Sequence, residues 1–533
     1  MYTPLRCHGH HTLLTGVDAP EALLERARDL GMPALALADV DSMAGLVDLI
    51  QAAQAQPEVH PSGAPPVRPI IAAELSDAGD RAGRVLALVE NETGYRNLCR
   101  LVSARRIGFD PGAALPEDPD ERDDEHARRR RGPEAFDLIE SVIEHQDGLF
   151  LLADHPRLLV GLFGRVAARR LFALLSPAAP GLGGLRDPRT LTPARRDSHR
   201  AADRSSHGAG IRNTHRAGDP DRVRALDTQL DPSDDLSAKT PPPARPAPAD
   251  ALLDAARATG AALVIAPDVY FVSPRGEEDH RVRVAIRHNA LLQDLPEEWI
   301  AARPAHLLGA RELNALIADV PDVAGAWPLD AETELAPGAS AVHPGLRRTQ
   351  AIADLCRYVP VLGGVLFPEV KLDAGETAYS KLCALALDGA RLRFQPMRPE
   401  VLRRLEHELD TIQRLGYAPY FLLVRDIAGF AEDQGIPHVG RGSAADSLVA
   451  YCLQLTDADP FRYGLPFERF LNPSRRDRPD IDLDFCWKRR DEVLDHVFER
   501  FGTERTAMIC TLNRFGLRSA FREAGLVHGI PPA

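Results

Sequence analysis

Five short apolar runs place the strongest constraint on what this chain of 533 residues can fold into. They are "PALALAD" (33–39), "PIIAAEL" (69–75), "RVLALVEN" (84–91), "GLFLLAD" (148–154) and "GAALVIAPDVYF" (260–271). Each has strand length, and helix-like pieces lie between them. One such piece is "DAPEALLERARDLG" (18–31), in which Leu23, Leu24, Ala27 and Leu30 form one apolar stripe and Asp18 with Glu21 reads as a capping box. Strand and helix in alternation predict βα units around a parallel sheet or barrel.

Two stretches interrupt the alternation. Residues 110–134 set an acidic block against a run of four arginines and read as a solvated loop. Residues 176–249 are rich in Pro, Gly, Ser, Arg and Asp, end in "TPPPARPAPAD", and carry almost no periodic apolar residues; they are expected to be a disordered insertion. Regular patterning returns after residue 360. In "RPEVLRRLEHELDTIQRLG" (398–416), Val401, Leu402, Leu405, Leu409, Ile412 and Leu415 share a helical face, which marks a second domain.

A hydrophobic content of 44% over this length supports two or more cores. The net charge of -13 argues against non-specific coating of nucleic acid and leaves room for a local basic channel beside an acidic centre. Seven cysteines without a CxxC pair indicate neither a disulfide framework nor a zinc ribbon. With no apolar run of membrane-spanning length and no basic-then-apolar start, the expected location is cytoplasmic, with no membrane partner.

Three local patterns carry chemistry. "RCHGHHTLLTG" (6–16) brings together His8, His10 and His11, and neutral imidazoles are common ligands of transition metals. "GIPHVGRGS" (435–443) precedes the helix-compatible "AADSLVAYCLQL"; glycine lets a phosphate approach the backbone, free N–H groups at a helix start face the anion, Arg441 offers a forked cation and Ser443 a hydroxyl. A bare helix-capping turn would look the same. In "RPDIDLDFCWKRRDEV" (478–493), Asp480, Asp482 and Asp484 fall at every second position, so on a strand all three carboxylates point one way. Two of them about 7 Å apart repel by roughly 2 kcal/mol at an effective dielectric near 20. A divalent ion such as Mg²⁺, which prefers oxygen ligands, would compensate that repulsion. Ile481, Leu483 and Phe485 make the opposite face apolar, so the strand is expected to be half-buried.

The N-terminal part resembles the PHP (polymerase and histidinol phosphatase) domain, whose opening HxH is followed by "LLxG" and later by "TDH". Aligned on "LLTG", Arg6 stands at the first histidine position and His8 at the second; Asp39 is kept but Val40 follows it; Glu74 in "IIAAEL" matches; and "APDVYF" keeps Asp268 with Tyr270 where the family has histidine. Three ligand positions are thus substituted, leaving His8, Asp39, Glu74 and Asp268 as a residual metal site, or a barrel kept for packing without hydrolytic chemistry. His10 and His11 read as ordinary polar loop residues.

"YFLLVRDI", "GRGSAADSLVAY", "TDADPFRYGLPFERFLNP" and "PDIDLDFCWKRRDEV" together resemble, in order and near spacing, the palm of the C-family bacterial DNA polymerases. That resemblance implies a PHP-type βα barrel over residues 1–290, a mixed α/β palm of nucleotidyltransferase type over 291–510, and the start of a thumb over 511–533. It assigns Asp480 and Asp482 as the first two catalytic carboxylates and metal ligands, with Asp484 as a neighbour. Arg441, Gly442 and Ser443 become the loop that receives the incoming triphosphate. Arg489 or Arg490 would meet phosphate, though a salt-bridged helix start explains them equally well. The implied reaction is templated two-metal transfer of deoxynucleotides to a primer 3'-hydroxyl, with Mg²⁺ as cofactor and primer-template DNA and deoxynucleoside triphosphates as partners. A sliding clamp or other polymerase subunits would bind through regions beyond this chain.

The short "PHV" between "GI" and "GRGS" resembles the error-prone branch, whereas "FCWKRRDEV" resembles the replicative one. Downstream of Asp484 no motif offers the family's third carboxylate, so the expectation is that activity needs a continuation. Two other readings stand beside the polymerase: a PHP-type metal-dependent phosphoesterase, and a non-catalytic DNA-binding remnant.

Overall fold

The computed structural model describes residues 2–58, 60, 63–77, 83–107, 136–178, 248–325, 342–363, 370–472, 479–502, 505–509 and 511–531. The loop expected at 110–134 and nearly all of the insertion expected at 176–249 lie outside the described residues. The chain divides into two compact units, Met1–Leu362 with Arg514–Ala533, and Gly363–Asn513.

The first unit is a curled six-stranded sheet under helices. Its strands are β1 (Ala34–Leu37), β2 (Arg68–Ser76), β3 (Arg84–Val89), β4 (Leu149–Ala153), β5 (Leu171–Leu175) and β6 (Leu263–Ile265), adjacent in that order. All five apolar runs become strands. The sheet is not all parallel, however: β3 runs antiparallel to both β2 and β4, and between β2 and β3 the segment 77–83 is shorter than the dozen residues or more that a parallel crossover needs. The fifth strand is an addition to the sequence reading, since a five-residue apolar run cannot be told from buried helix by periodicity alone. The backbone of Cys7 bridges Leu37 on one side and Val269 on the other, so the N-terminal segment joins the two edges of the sheet and curls it.

Period-two alternation splits these strands between two cores. Leu35, Leu37, Ile71, Val85, Ala87, Leu151, Ala173 and Leu263 face an outer layer of helices. These include α1 (Pro20–Asp29), α2 (Leu46–Gln54), α3 (Glu92–Ile107), α4 (Leu138–Glu144), α5 (Pro156–Leu162) and α6 (Ala249–Thr259). On the other face Leu5, Ile70, Leu86, Leu88, Phe150, Leu152, Phe172 and Val264 make an inner core. Burial on both faces is why the strands read as continuous apolar runs. Three further helices follow: α7 (Gly276–Arg287), α8 (Ala310–Leu316) and α9 (Pro344–Leu355). Ile352 and Ala353 of α9 enter the inner core, and Leu313 of α8 the outer one, so this unit continues well beyond residue 290.

One local expectation fails. Ala19, not Asp18, occupies the N-cap of α1, which has no side-chain cap, and Asp18 instead accepts from the Val272 N–H at 2.8 Å. The loop after β6 leaves that donor to be satisfied, and a carboxylate bound to it is lost to the helix.

The second unit packs α10 (Ala378–Arg393), α11 (Pro399–Arg414), α12 (Ala418–Asp433) and α13 (Leu448–Cys452) around one core, with the hairpin-like pair β7 (His438–Arg441) and β8 (Asp482–Phe485) and then α14 (Arg490–Phe501). Val401, Leu405, Leu409 and Ile412 of α11 are buried as their spacing requires, but Leu402 is 44% exposed, and the buried polar Glu408 and Thr411 share the packed face. The remaining helix, α15 (Leu517–Val527), belongs to the first unit, where Val527 joins a small core with Val284 and Ile300. Six described cysteines are free, with Cys7, Cys356 and Cys452 buried. Among the described residues no helix is long and apolar enough to cross a membrane.

Candidate active site

In the first unit, the ends of the strands gather a buried cluster of charge. Arg6 and His8 leave the N-terminal segment on the same side, Glu74 comes from β2, Arg84 opens β3, Asp154 follows β4 and Asp268 follows β6. His8, Glu74 and Asp268 bring ligand atoms within 4.8 Å of one another. Asp39 does not join them: its Oδ1 accepts from the Gly9 N–H and the Thr12 hydroxyl, both at 2.8 Å. Of the four residues of the expected residual site, three converge and one holds a loop.

What sits among those carboxylates is guanidinium. Arg6 pairs with Glu74, with Asp154 at 2.8 Å and with Asp268 at 3.5 Å. Arg84 donates to Glu74 at 2.7 Å and to the Tyr270 hydroxyl at 3.2 Å. His8 Nε2 lies 2.7 Å from Asp268, and its ring stacks on Tyr270 at 4.4 Å. Burial opposes the charge on Arg6, yet Asp268, Glu74 and Asp154 hold its pKa well above the ordinary value. For Asp268 burial likewise opposes ionisation, but Arg6 and then His8 keep the carboxyl below its usual range. A divalent ion would have to displace two buried cations from the oxygens that would bind it, so this cluster does not fit a metal. Asp154 and Arg84 were not marked by the sequence reading; an acid directly after an apolar strand, as in "LLADH", was the available signal.

The second candidate lies on β7 and β8. The strands pair antiparallel with Arg441 opposite Asp482 and Val439 opposite Asp484. Arg441 Nε reaches diagonally to Asp484 at 3.1 Å, and both side chains are exposed. Asp480 precedes the strand instead of lying in it and is exposed, while Asp482 is half-buried. The three carboxylates therefore do not converge within 4.8 Å, and Asp484 is committed to a cation. Among the described residues neither Asp480 nor Asp482 has an ion-pair partner, so two carboxylates two residues apart remain available as oxygen donors, a set that fits a hard divalent cation such as Mg²⁺. On the opposite face Ile481 and Leu483 pack against the unit's core and Phe485 against Ile436 and Val493, so the strand is half-buried as its alternation requires.

Gly442 follows Arg441 with φ +69°, the left-handed region that glycine tolerates, and a Cβ there would lie 3.3 Å from Asp482 Oδ2. It starts a short 3-10 turn over Gly442–Asp446 that carries Ser443. Of the helix-compatible stretch 444–455, the α-helix covers only Leu448–Cys452. Its first N–H groups are not free for an anion. The Val449 N–H donates to Glu408 at 3.0 Å and the Ala450 N–H to the capping Ser447 hydroxyl at 3.1 Å. Glu408, fully buried, also accepts from Ser447 and Arg404; burial pushes its carboxyl above the ordinary value against those hydrogen bonds.

Arg489 makes a bidentate pair with Glu492 at 2.7 and 2.8 Å and donates to the Gln434 carbonyl, which is the salt-bridged helix start. Arg490 is exposed, with a loose 3.4 Å contact to Asp491. A further residue, unmarked in the sequence reading, is Tyr420 of α12. Its hydroxyl accepts from the Ile481 N–H at 3.0 Å, fixing the backbone between Asp480 and Asp482.

The family model described as "PHP domain" matches residues 4–173, and the one described as "Bacterial DNA polymerase III alpha NTPase domain" matches residues 380–533. Curated relatives agree. A protein named "Error-prone DNA polymerase" from Symbiobacterium thermophilum is 47% identical over 188 residues, 35% of this chain and 17% of that protein. "Error-prone DNA polymerase" from Anaeromyxobacter sp. (strain K) is 32% identical over 99% of this chain and 45% of its own length. "DNA polymerase III subunit alpha" from Escherichia coli (strain K12) is 29% identical over 99% of this chain and 38% of its own length. The chain thus spans less than half the length of each of these relatives.

Proposed function

We propose that this chain belongs to the C-family of bacterial DNA polymerases and is the PHP and palm portion of a DNA-directed DNA polymerase catalytic subunit. The observation that carries the reading is the β7–β8 pair, which sets a forked cation and a glycine turn against a carboxylate strand, with Arg441 opposite Asp482 and 3.1 Å from Asp484.

Asp480 and Asp482 are the proposed metal ligands. Bound Mg²⁺ would supply a lowered pKa at the primer 3'-hydroxyl and charge neutralisation at the pyrophosphate leaving group. The side chains do the rest by position and charge. Arg441, exposed and hydrogen-bonded to Asp484, can exchange that carboxylate for a triphosphate oxygen, because guanidinium donates equally well to either. Gly442 lets the backbone come close to the same phosphates, and Ser443 adds a hydroxyl donor. Tyr420 acts as a positioning residue through Ile481. Arg489 is better assigned to the start of α14 than to phosphate, since both its forks are in use. Primer-template DNA and deoxynucleoside triphosphates are the proposed substrates, contacted mainly at sugar and phosphate while template pairing gives sequence. The proposed compartment is the cytoplasm, and a sliding clamp is a proposed partner of the longer protein.

The phosphoesterase alternative is disfavoured by Arg6 and Arg84 at the PHP cluster. The test is primer extension in Mg²⁺ by a version continued downstream. Asp482→Ala should abolish extension while leaving filter binding of primer-template DNA. Extension at the unsubstituted rate would refute the assignment; binding without extension in the unsubstituted protein would point to the DNA-binding remnant.

A further inference from the structure

A second constellation of metal-ligating side chains lies in the first unit, apart from the guanidinium-filled cluster. His10, His11 and Asp48 each place a ligand atom within 4.8 Å of the others. The two imidazoles are sequence neighbours with ring centroids 4.3 Å apart and planes tilted by 37°, and His11 Nε2 lies 2.9 Å from Asp48 Oδ2 on α2. His11 is buried, whereas His10 and Asp48 are half-buried, so solvent reaches one side. Two observations point to a ligand. His10 Nε2 is buried and has no hydrogen-bond partner among the described residues. Asp39 Oδ2 is also buried and unpartnered, and it borders the same space: a Cβ on Gly45 would meet Asp39 Oδ2 at 2.7 Å and His11 Cδ2 at 3.0 Å. Only glycine at 45 leaves room for both groups. An imidazole nitrogen without a partner in a buried place costs free energy that a cation would recover.

The loop that presents the histidines is already fixed. Gly9 and Thr12 donate to Asp39, the His10 N–H donates to the Asp18 carbonyl, and the Thr12 and Gly16 N–H groups close turns onto Gly9 and Thr12. Such a loop pays little ordering entropy on binding. Burial, then the neighbouring His11 and Arg514, disfavour a proton on His10, against the pull of Asp39 and Asp48.

We infer that His10, His11 and Asp48 form a binding site for one divalent transition-metal ion of the zinc class. Two imidazoles and one carboxylate are a donor set of the kind that holds zinc with an open coordination position for water. The ion would tie the N-terminal loop to α2. Neither residue pair belongs to the β7–β8 site, so the inference stands independently of the polymerase reading.

The test is metal uptake by the full chain, freed of metal with a chelator, dialysed against micromolar zinc and measured for bound metal per chain, with cobalt as a spectroscopic substitute. One equivalent is expected, with visible absorption of histidine-bound cobalt. His10→Ala and His11→Ala should each weaken binding at least tenfold, with circular dichroism unchanged, and Asp268→Asn in the neighbouring cluster should leave uptake intact. No bound zinc in the unsubstituted chain would overturn the inference. So would uptake insensitive to both histidine substitutions, or uptake lost with Asp268→Asn, which would assign the ion to the other cluster.

Discussion

Removing the charge of Arg6 while keeping its bulk, by Arg6→Met, tests whether buried guanidinium has taken over the task of a metal in the first unit. Arg6 is 2% exposed and touches three carboxylates that are themselves at most 13% exposed. At charge separations of about 4 Å and an effective dielectric near 20, each such contact is worth roughly 4 kcal/mol before solvation is counted. Desolvation of the guanidinium cancels much of that sum, and methionine regains about 1.5–3 kcal/mol by its own burial. What remains is the cost of leaving Glu74, Asp154 and Asp268 with only Arg84 and His8, and breaking one side of a buried pair costs about 3–5 kcal/mol. The assay is urea unfolding followed by tryptophan fluorescence in a Trp487→Phe background, which removes an exposed reporter of the second unit and keeps Trp299, packed in the first unit, as a reporter. The pH dependence adds a second criterion. Asp268 has a folded pKa below its unfolded one, so the stability it contributes is present above the ordinary carboxylate range and is lost as pH falls through the folded value. Arg6→Met takes away the leading cation, which raises that folded value. The gap between variant and parent should be widest at neutral pH and narrow below about pH 4. A loss smaller than about 1 kcal/mol at pH 7, or one that does not shrink on acidification, would refute the reasoning.

Two further outcomes are expected in the second unit. Tyr420→Phe removes the acceptor of the Ile481 N–H, costing about 1 kcal/mol of positioning; in the continued polymerase it should lower kcat about fivefold with KM for deoxynucleotide unchanged, and a change in KM alone would argue against a positioning role. Glu408→Ala strips the partners of Ser447, Val449 and Arg404 inside the core, so hydrogen exchange should report about 3 kcal/mol less protection in α13, whereas protection kept at the parent level would show that the cap is dispensable.

How much was legible depended on the range of the interaction. The five apolar runs and the α11 stripe record only local period and burial, and each folded into the element its pattern required. The alternation that set Asp482 and Asp484 on one side of β8 and Ile481, Leu483 and Phe485 on the other could also be read directly. The order of the motifs anticipated the two family models that match, a PHP domain over residues 4–173 and a bacterial DNA polymerase III alpha domain over 380–533. The partner of each polar group was not legible. Nothing near Asp18 in the chain announces the Val272 N–H, nothing near Leu448 announces Glu408, and Arg441 finds Asp484 from 43 positions away.

The substitution of Arg6 at a ligand position was visible in the sequence alone, and with it the loss of one metal donor. Only the folded chain decided that this guanidinium would meet Glu74, Asp154 and Asp268 together and that Arg84 would join it from another strand. The reason is physical. A side chain's periodicity is fixed by its neighbours in the chain, whereas the pairing of charges in a dry interior is fixed by which strand ends the curled sheet brings within a few ångströms.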